Sequence, residues 1–115
     1  MTRQPLPNRR DSFQKDIYWN GHGITVGMGI DPETGDIRDV FADAHKGGQM
    51  GDTLRDACVL ISLGLQYGIT AQAMLDKLPR VPDLLRGENA TLPASPVGAI
   101  LEVIIAPLEE LSIPR

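Results

Sequence analysis

Two stretches of alternation, one long helical stripe and one short apolar run divide this chain. Phe13, Lys15, Ile17 and Trp19 fall on one side of an extended segment, with Gln14, Asp16 and Tyr18 on the other. Asn20-Gly21 follows, a two-residue hairpin signal, because both residues tolerate the positive φ of a type I′ turn. Beyond it Ile24, Val26, Met28 and Ile30 alternate with Gly23, Thr25, Gly27 and Gly29. The smooth glycine face predicts either a tightly packed neighbour or a ligand that approaches the backbone. Asp31-Pro32-Glu33-Thr34-Gly35 is a turn, and Ile37 to Ala42 forms a third strand in which Ile37 faces opposite to Val40.

The period then changes. Leu54, Ala57, Cys58, Ile61 and Leu65 recur at helical spacing, and Val59, Leu60 and Leu63 widen the stripe until little polar face remains after Asp56. The pattern predicts a helix over Thr53–Tyr67, capped by Asp52 or Thr53 and stopped at Gly68. A helix so apolar is expected to be wrapped by the rest of the domain, since each exposed aliphatic chain forgoes its burial free energy. Gly64, inside it, marks a place where another backbone comes close. Thr70 caps a second helix, Ala71 to Leu78, ended by Pro79. Pro82 to Gly87 reads as a further helical turn and Gly87 to Ala94 as a loop. Ser95-Pro96 opens a last helix to Ala106, with Ile100, Leu101, Ile104 and Ile105 inward and Pro107 breaking it. The fold class that follows is α+β: a three-stranded antiparallel meander packed on a buried central helix, with two further helices beside it.

Length and composition bound the rest. At 115 residues the chain makes one domain, expected over 12–106, between a flexible polar arm at 1–11 and a solvated tail at 107–115. The formal charge of −4 argues against nucleic acid as the main partner. One cysteine forms no internal disulfide, which suits a reducing cytoplasm. The start lacks the apolar run of a signal peptide, and no segment approaches the length of a membrane span. Asn89-Ala90-Thr91 matches a glycosylation sequon, discounted because nothing indicates secretion.

Candidate chemistry gathers before the central helix. Lys46, Gly47, Gly48 and Gln49 precede a helix N-terminus, and Arg55 lies in its first turn. Free N–H groups, the helix dipole and two cations fit a phosphate or carboxylate, although glycines before a helix also serve as simple turn residues. Asp52 and Asp56 lower the local positive potential, and the GK[ST] ending of a Walker loop is missing. Gly27-Met28-Gly29 lies in a strand pattern followed by a turn, which excludes a dinucleotide loop. His22 and His45 lack a spaced second pair, so no metal site is expected. Cys58, in the middle of the stripe, reads as a small buried hydrophobe. No catalytic set stands out, and no cofactor is expected.

The segment HKGGQMGDTLRDACVLISLGLQYGIT, followed by a second helix and then SPVGAILEVI, resembles the TSCPD domain. That domain occurs near the C-terminus of adenosylcobalamin-dependent ribonucleotide reductases and in short stand-alone proteins of bacteria and phages. The resemblance covers Arg9 to Ile105 and is most specific in the KxG loop and the ISLGLQYG helix end. It implies kinship with the reductases without their activity. The barrel that carries radical chemistry is absent, and so is the cysteine pair that passes reducing equivalents, since a dithiol relay needs two sulfurs. Three roles are expected: a non-catalytic module that binds a nucleotide-like or other anionic ligand or a protein partner, an accessory or regulatory subunit acting through a reductase, or a self-assembling homo-oligomer that buries the apolar C-terminal segment against a second copy.

Overall fold

The computed structural model describes Arg3 and residues 11–106. The arm expected over 1–11 and the tail over 107–115 lie outside the described residues, Arg3 and Asp11 excepted. Strands β1 (Asp11–Trp19), β2 (His22–Ile30) and β3 (Ile37–Ala44) form one antiparallel sheet in that order. Trp19 pairs with His22, so Asn20 and Gly21 alone make the turn, at φ 49° and 80°. The alternation places Ile24, Val26 and Met28 of β2 and Val40 and Ala42 of β3 in the core, with Phe13, Ile17 and Trp19 of β1 at its margin. The Trp19 indole Nε1–H donates to the Pro93 carbonyl at 3.2 Å, which satisfies the polar end of a half-buried ring.

The glycine face on the other side of β2 is filled by the protein itself. Phe41 lies across Gly27 and His45 across Gly23, so closely that a Cβ on either glycine would overlap the ring. Aromatic rings on β3 and just beyond its end thus cover the bare backbone of β2, as in aromatic rescue of strand glycines. The expected facing of Ile37 is corrected. The register shifts between Gly29 and Ile30, with Gly29 opposite Asp39 and Ile30 opposite Ile37, which leaves Arg38 as an extra residue. This bulge turns Ile37 back onto the core beside Val40.

Helix α1 (Gly48–Gln66) starts at Gly48 rather than Thr53, and neither Asp52 nor Thr53 caps it. Its first turn is poor in intrinsic propensity, and Gly51 within it is buried at the end of β3, where an added Cβ would stand 3.8 Å from Ala44 Cβ. The helix ends at Tyr67, and the Gly68 N–H returns to the Leu65 carbonyl at 3.1 Å. Leu54, Cys58, Ile61 and Leu65 face the sheet and are buried. The expectation that the whole helix is wrapped is corrected: Val59, Leu60 and Leu63 are 65%, 69% and 40% exposed. One three-stranded sheet covers one side of a helix, and the opposite side stays open.

Gly64 does not mark a close backbone; a Cβ added there would meet the side chains of Met74 and Ile69 at ordinary contact distances of 3.6 and 3.8 Å. The tight approach is at Gly98, where an added Cβ would stand 2.7 Å from Pro93 Cβ. Helix α2 (Ala71–Leu75) is capped by Thr70, whose Oγ1 accepts the Ala73 N–H at 3.0 Å, and is shorter than the expected span to Leu78. The segment expected as a helical turn and a loop holds a small hairpin, β4 (Arg80–Pro82) paired with β5 (Thr91–Pro93), with turns at 84–86 and 88–89 between them. Helix α3 (Pro96–Ile105) begins on the Ser95 cap and buries Ile100, Leu101, Val103 and Ile104. The apolar C-terminal segment is therefore absorbed by the chain's own core, and Ile105, expected inward, is 37% exposed. Among the described residues no helix is long and apolar enough to cross a membrane.

Candidate functional site

The strands and α1 converge on the His45–Gln49 loop. The His45 N–H donates to the Gly23 carbonyl at 2.9 Å, and the Gly47 N–H to the Ala44 carbonyl at 2.9 Å, so the loop is a tight continuation of β3. Gly47 and Gly48 take φ of 64° and 78°, a left-handed pair that admits glycine without a Cβ penalty and lets the chain turn directly into α1. Gly47 is the N-cap residue and no side chain caps it. Lys46, Gly47, Gly48 and Gln49 are all exposed, together at the helix N-terminus.

Arg55 is placed differently. It lies in the second turn of α1, and its guanidinium pairs with Asp43 at 3.7 Å and Asp52 at 3.6 Å. All three side chains are well exposed, so these pairs add little stability. They do bring two carboxylates to the end of the helix where an anion was expected. His45 is held by the sheet: its Nε2 lies 2.9 Å from Thr25 Oγ1, whose hydroxyl donates to Asp16 at 2.6 Å. His22 stacks on Trp19 instead. Among the described residues no group of His, Cys, Asp and Glu side chains is arranged to hold a metal.

The feature that sequence reasoning missed is the open face of α1. Val59, Leu60, Leu63 and Tyr67 fall at spacings of one, four and eight residues, and project from one side of the helix. Below them a groove of about 400 Å³ separates α1 from β3, with Cys58 and Val40 on its floor, Phe41 and Leu63 on its walls, and Arg55 and Gln66 along it. The Cys58 thiol is pushed up to about 11, first by burial and then by the charge of Asp39. It is therefore held as the thiol at neutral pH and reacts slowly while the groove floor stays buried. A signal was present in the sequence: Ser62 and Gln66 lie one turn apart on the buried side. With Ser62 and Gln66 turned inward beside Leu65, the side of the helix that carries Val59, Leu60 and Leu63 faces out.

A second concavity of about 510 Å³ lies between the β2–β3 turn, the start of α2 and the end of α3, and includes Ile37, Arg38, Ile69, Thr70 and Ile105. Its arginine is engaged. Arg38 Nη1 donates to the Leu65 carbonyl at 2.9 Å, and Nε stands 3.6 Å from Asp31, an ion pair too long for a hydrogen bond.

The chain is 34% identical over 77 residues to the vitamin B12-dependent ribonucleotide reductase of Agrobacterium fabrum and 28% identical over 75 residues to that of Bradyrhizobium diazoefficiens. Each match covers 64% of this chain and 6% of the reductase, so the chain spans a small fraction of the length of these relatives. No solved structure matches it. The TSCPD domain model matches residues 2–106, nearly the whole chain, and the protein belongs to the TSCPD domain family.

Proposed function

We propose that this TSCPD domain is a non-catalytic cytoplasmic binding module that docks a protein partner through the outer face of α1, and that the partner is a ribonucleotide reductase or a protein acting with one. The observation that carries the reading is the placement of Val59, Leu60 and Leu63. Leu84 and Leu85 are more exposed still, but they sit on a turn between short strands. The three α1 residues stand on a helix whose opposite face already fills the core, and two of them, Val59 and Leu63, line a groove. A contiguous apolar face on a fixed element is the kind of surface that a partner covers. The reductase relatives supply the partner class, because in them the matched region is a small part of a long chain.

The test is binding of the purified chain to a purified vitamin B12-dependent ribonucleotide reductase from the same host, with reductase turnover measured alongside. Leu60→Asp is expected to weaken binding at least tenfold while the domain keeps its melting temperature. No binding by the unaltered chain overturns the reading. Light scattering on the chain alone checks the competing occupant: a dimer that Leu60→Asp dissociates assigns the face to a second copy.

A second reading is favoured by the uncapped N-terminus of α1, where Lys46 and the exposed Gly47–Gln49 backbone offer donors to a nucleotide-like or other phosphate-bearing ligand. Arg55 contributes only if the ligand draws it from Asp43 and Asp52. Thermal shifts with nucleotides decide it: a rise in melting temperature that Lys46→Ala abolishes supports it, and no shift with any phosphate compound removes it.

A further inference from the structure

Arg3 lies far from the folded body in sequence and against it in space. Its Nε–H donates to Gln66 Oε1 at 2.6 Å, and its side chain lines the β3–α1 groove beside Leu63. The orientation of the Gln66 amide is set from the other side, because its Nε2 donates to the Arg38 carbonyl at 3.1 Å. Gln66 is buried, at 7% exposure, so its oxygen needs a donor. Arg3 supplies one. The reach is easy: Asp11 pairs with Ile30 and Ile30 with Ile37, which puts the start of β1 two strand spacings from the residue preceding Arg38, roughly 10 Å. The residues joining Arg3 to Asp11 span up to roughly 25 Å when extended.

We infer that Arg3 is an intramolecular latch: bound to Gln66 it occupies part of the β3–α1 groove beside Val59 and Leu63, and a partner that enters the groove from those two residues must displace it. The displacement clause rests on the docking reading above; the latch itself does not. A hydrogen bond from a charged donor to a buried acceptor changes an equilibrium by roughly tenfold or more, enough for the latch to tune access to the groove.

Cys58, the sole cysteine, sits on the groove floor at 2% exposure and reports its opening. The experiment is the rate of alkylation by N-ethylmaleimide, at fixed pH, of the full chain, Arg3→Ala and Arg3→Lys, each measured from zero to low urea. Arg3→Ala is expected to react at least threefold faster than the unaltered chain, with Arg3→Lys between them. The added reactivity should be almost independent of urea, the mark of local opening. Equal rates, or an acceleration that carries the urea dependence of global unfolding, overturn the latch. Reductase binding is measured in parallel, and Arg3→Ala is expected to bind more tightly by the same factor, since it removes a competing closed state. Faster labelling without any reductase binding leaves the latch standing and removes the docking reading. Reductase binding with unchanged labelling does the reverse.

Discussion

The Ser62 hydroxyl closes both backbone groups of Val40: it accepts the Val40 N–H at 3.0 Å and donates to the Val40 carbonyl at 3.0 Å. Val40 lies on β3, the edge of the sheet away from β1, and its outward backbone groups would otherwise offer a template to another strand. One turn on, Gln66 does the same for the Arg38 carbonyl at 3.1 Å. These two polar residues on the inner side of α1 stitch a helix along a sheet edge. Ser62→Ala leaves a buried donor and acceptor unpaired and is expected to cost about 1–3 kcal/mol. Urea unfolding measures it; Ser62→Thr, which keeps the hydroxyl, should lose less, and a neutral Ser62→Ala would show that the edge is not held this way.

The two helical glycines should respond in opposite directions. Gly64 has room for a methyl, with Met74 Cε at 3.6 Å, so Gly64→Ala removes unfolded-state freedom and is expected to stabilise by about 0.5–1 kcal/mol. At Gly98 an added Cβ would stand 2.7 Å from Cβ of a rigid proline, Pro93, and Gly98→Ala is expected to destabilise by about 1–3 kcal/mol despite alanine's better helix propensity. Melting temperatures of the two variants, measured together, check both signs.

Arg38 occupies the β3 bulge and ties three elements. It donates to the Leu65 carbonyl in the last turn of α1 and sits beside Asp31 and Asp36 of the preceding turn. A cation at a helix C-terminus is favourable, and a planar fork serves several acceptors at once where an ammonium cannot. Arg38→Ala is expected to cost about 2 kcal/mol, with Arg38→Lys recovering less than half of it. Chemical denaturation is the measurement; full recovery by lysine would mean that charge alone matters.

Local chemistry made much of this fold legible. Asn20-Gly21 fixed the hairpin register, and Thr70 and Ser95 marked two helix starts, because in each case a short-range hydrogen bond or dihedral preference decides the outcome. What sequence did not disclose depended on distant contacts. Helix α1 begins at Gly48, with Gly51 buried beside the end of β3, a placement no local propensity encodes. The β4–β5 hairpin is built from proline-bearing three-residue strands that carry no alternation to read. Lys46 and Gly47 precede α1, whereas Gly48 and Gln49, expected before the helix, are its first two residues. The open face of α1 was not foreseen, because a helix apolar on both sides does not say which side its single sheet covers.

Cys58 makes the stability of the protein depend on pH at the alkaline end. Burial first, and the Asp39 charge second, raise the thiol from 9.0 to about 11. Below about pH 9 folded and unfolded chains both hold this proton, and the stabilisation is fully present. Between pH 9 and 11 the unfolded chain releases it while the folded chain does not, so unfolding gains free energy as the pH rises. Above about 11 the folded thiol ionises as well and the loss levels off, at roughly 2–3 kcal/mol in all. The measurement is a difference, which isolates the thiol from every other group: urea midpoints of the unaltered chain and of Cys58→Ala at pH 7.5, 9, 10 and 10.5. At pH 7.5 the variant should be less stable by the lost packing of a small buried side chain. That deficit should shrink steadily above pH 9, because alanine has no proton for the unfolded state to release. Parallel curves for the two proteins would mean that the thiol titrates alike in both states, and that the groove floor is wetter than its burial implies.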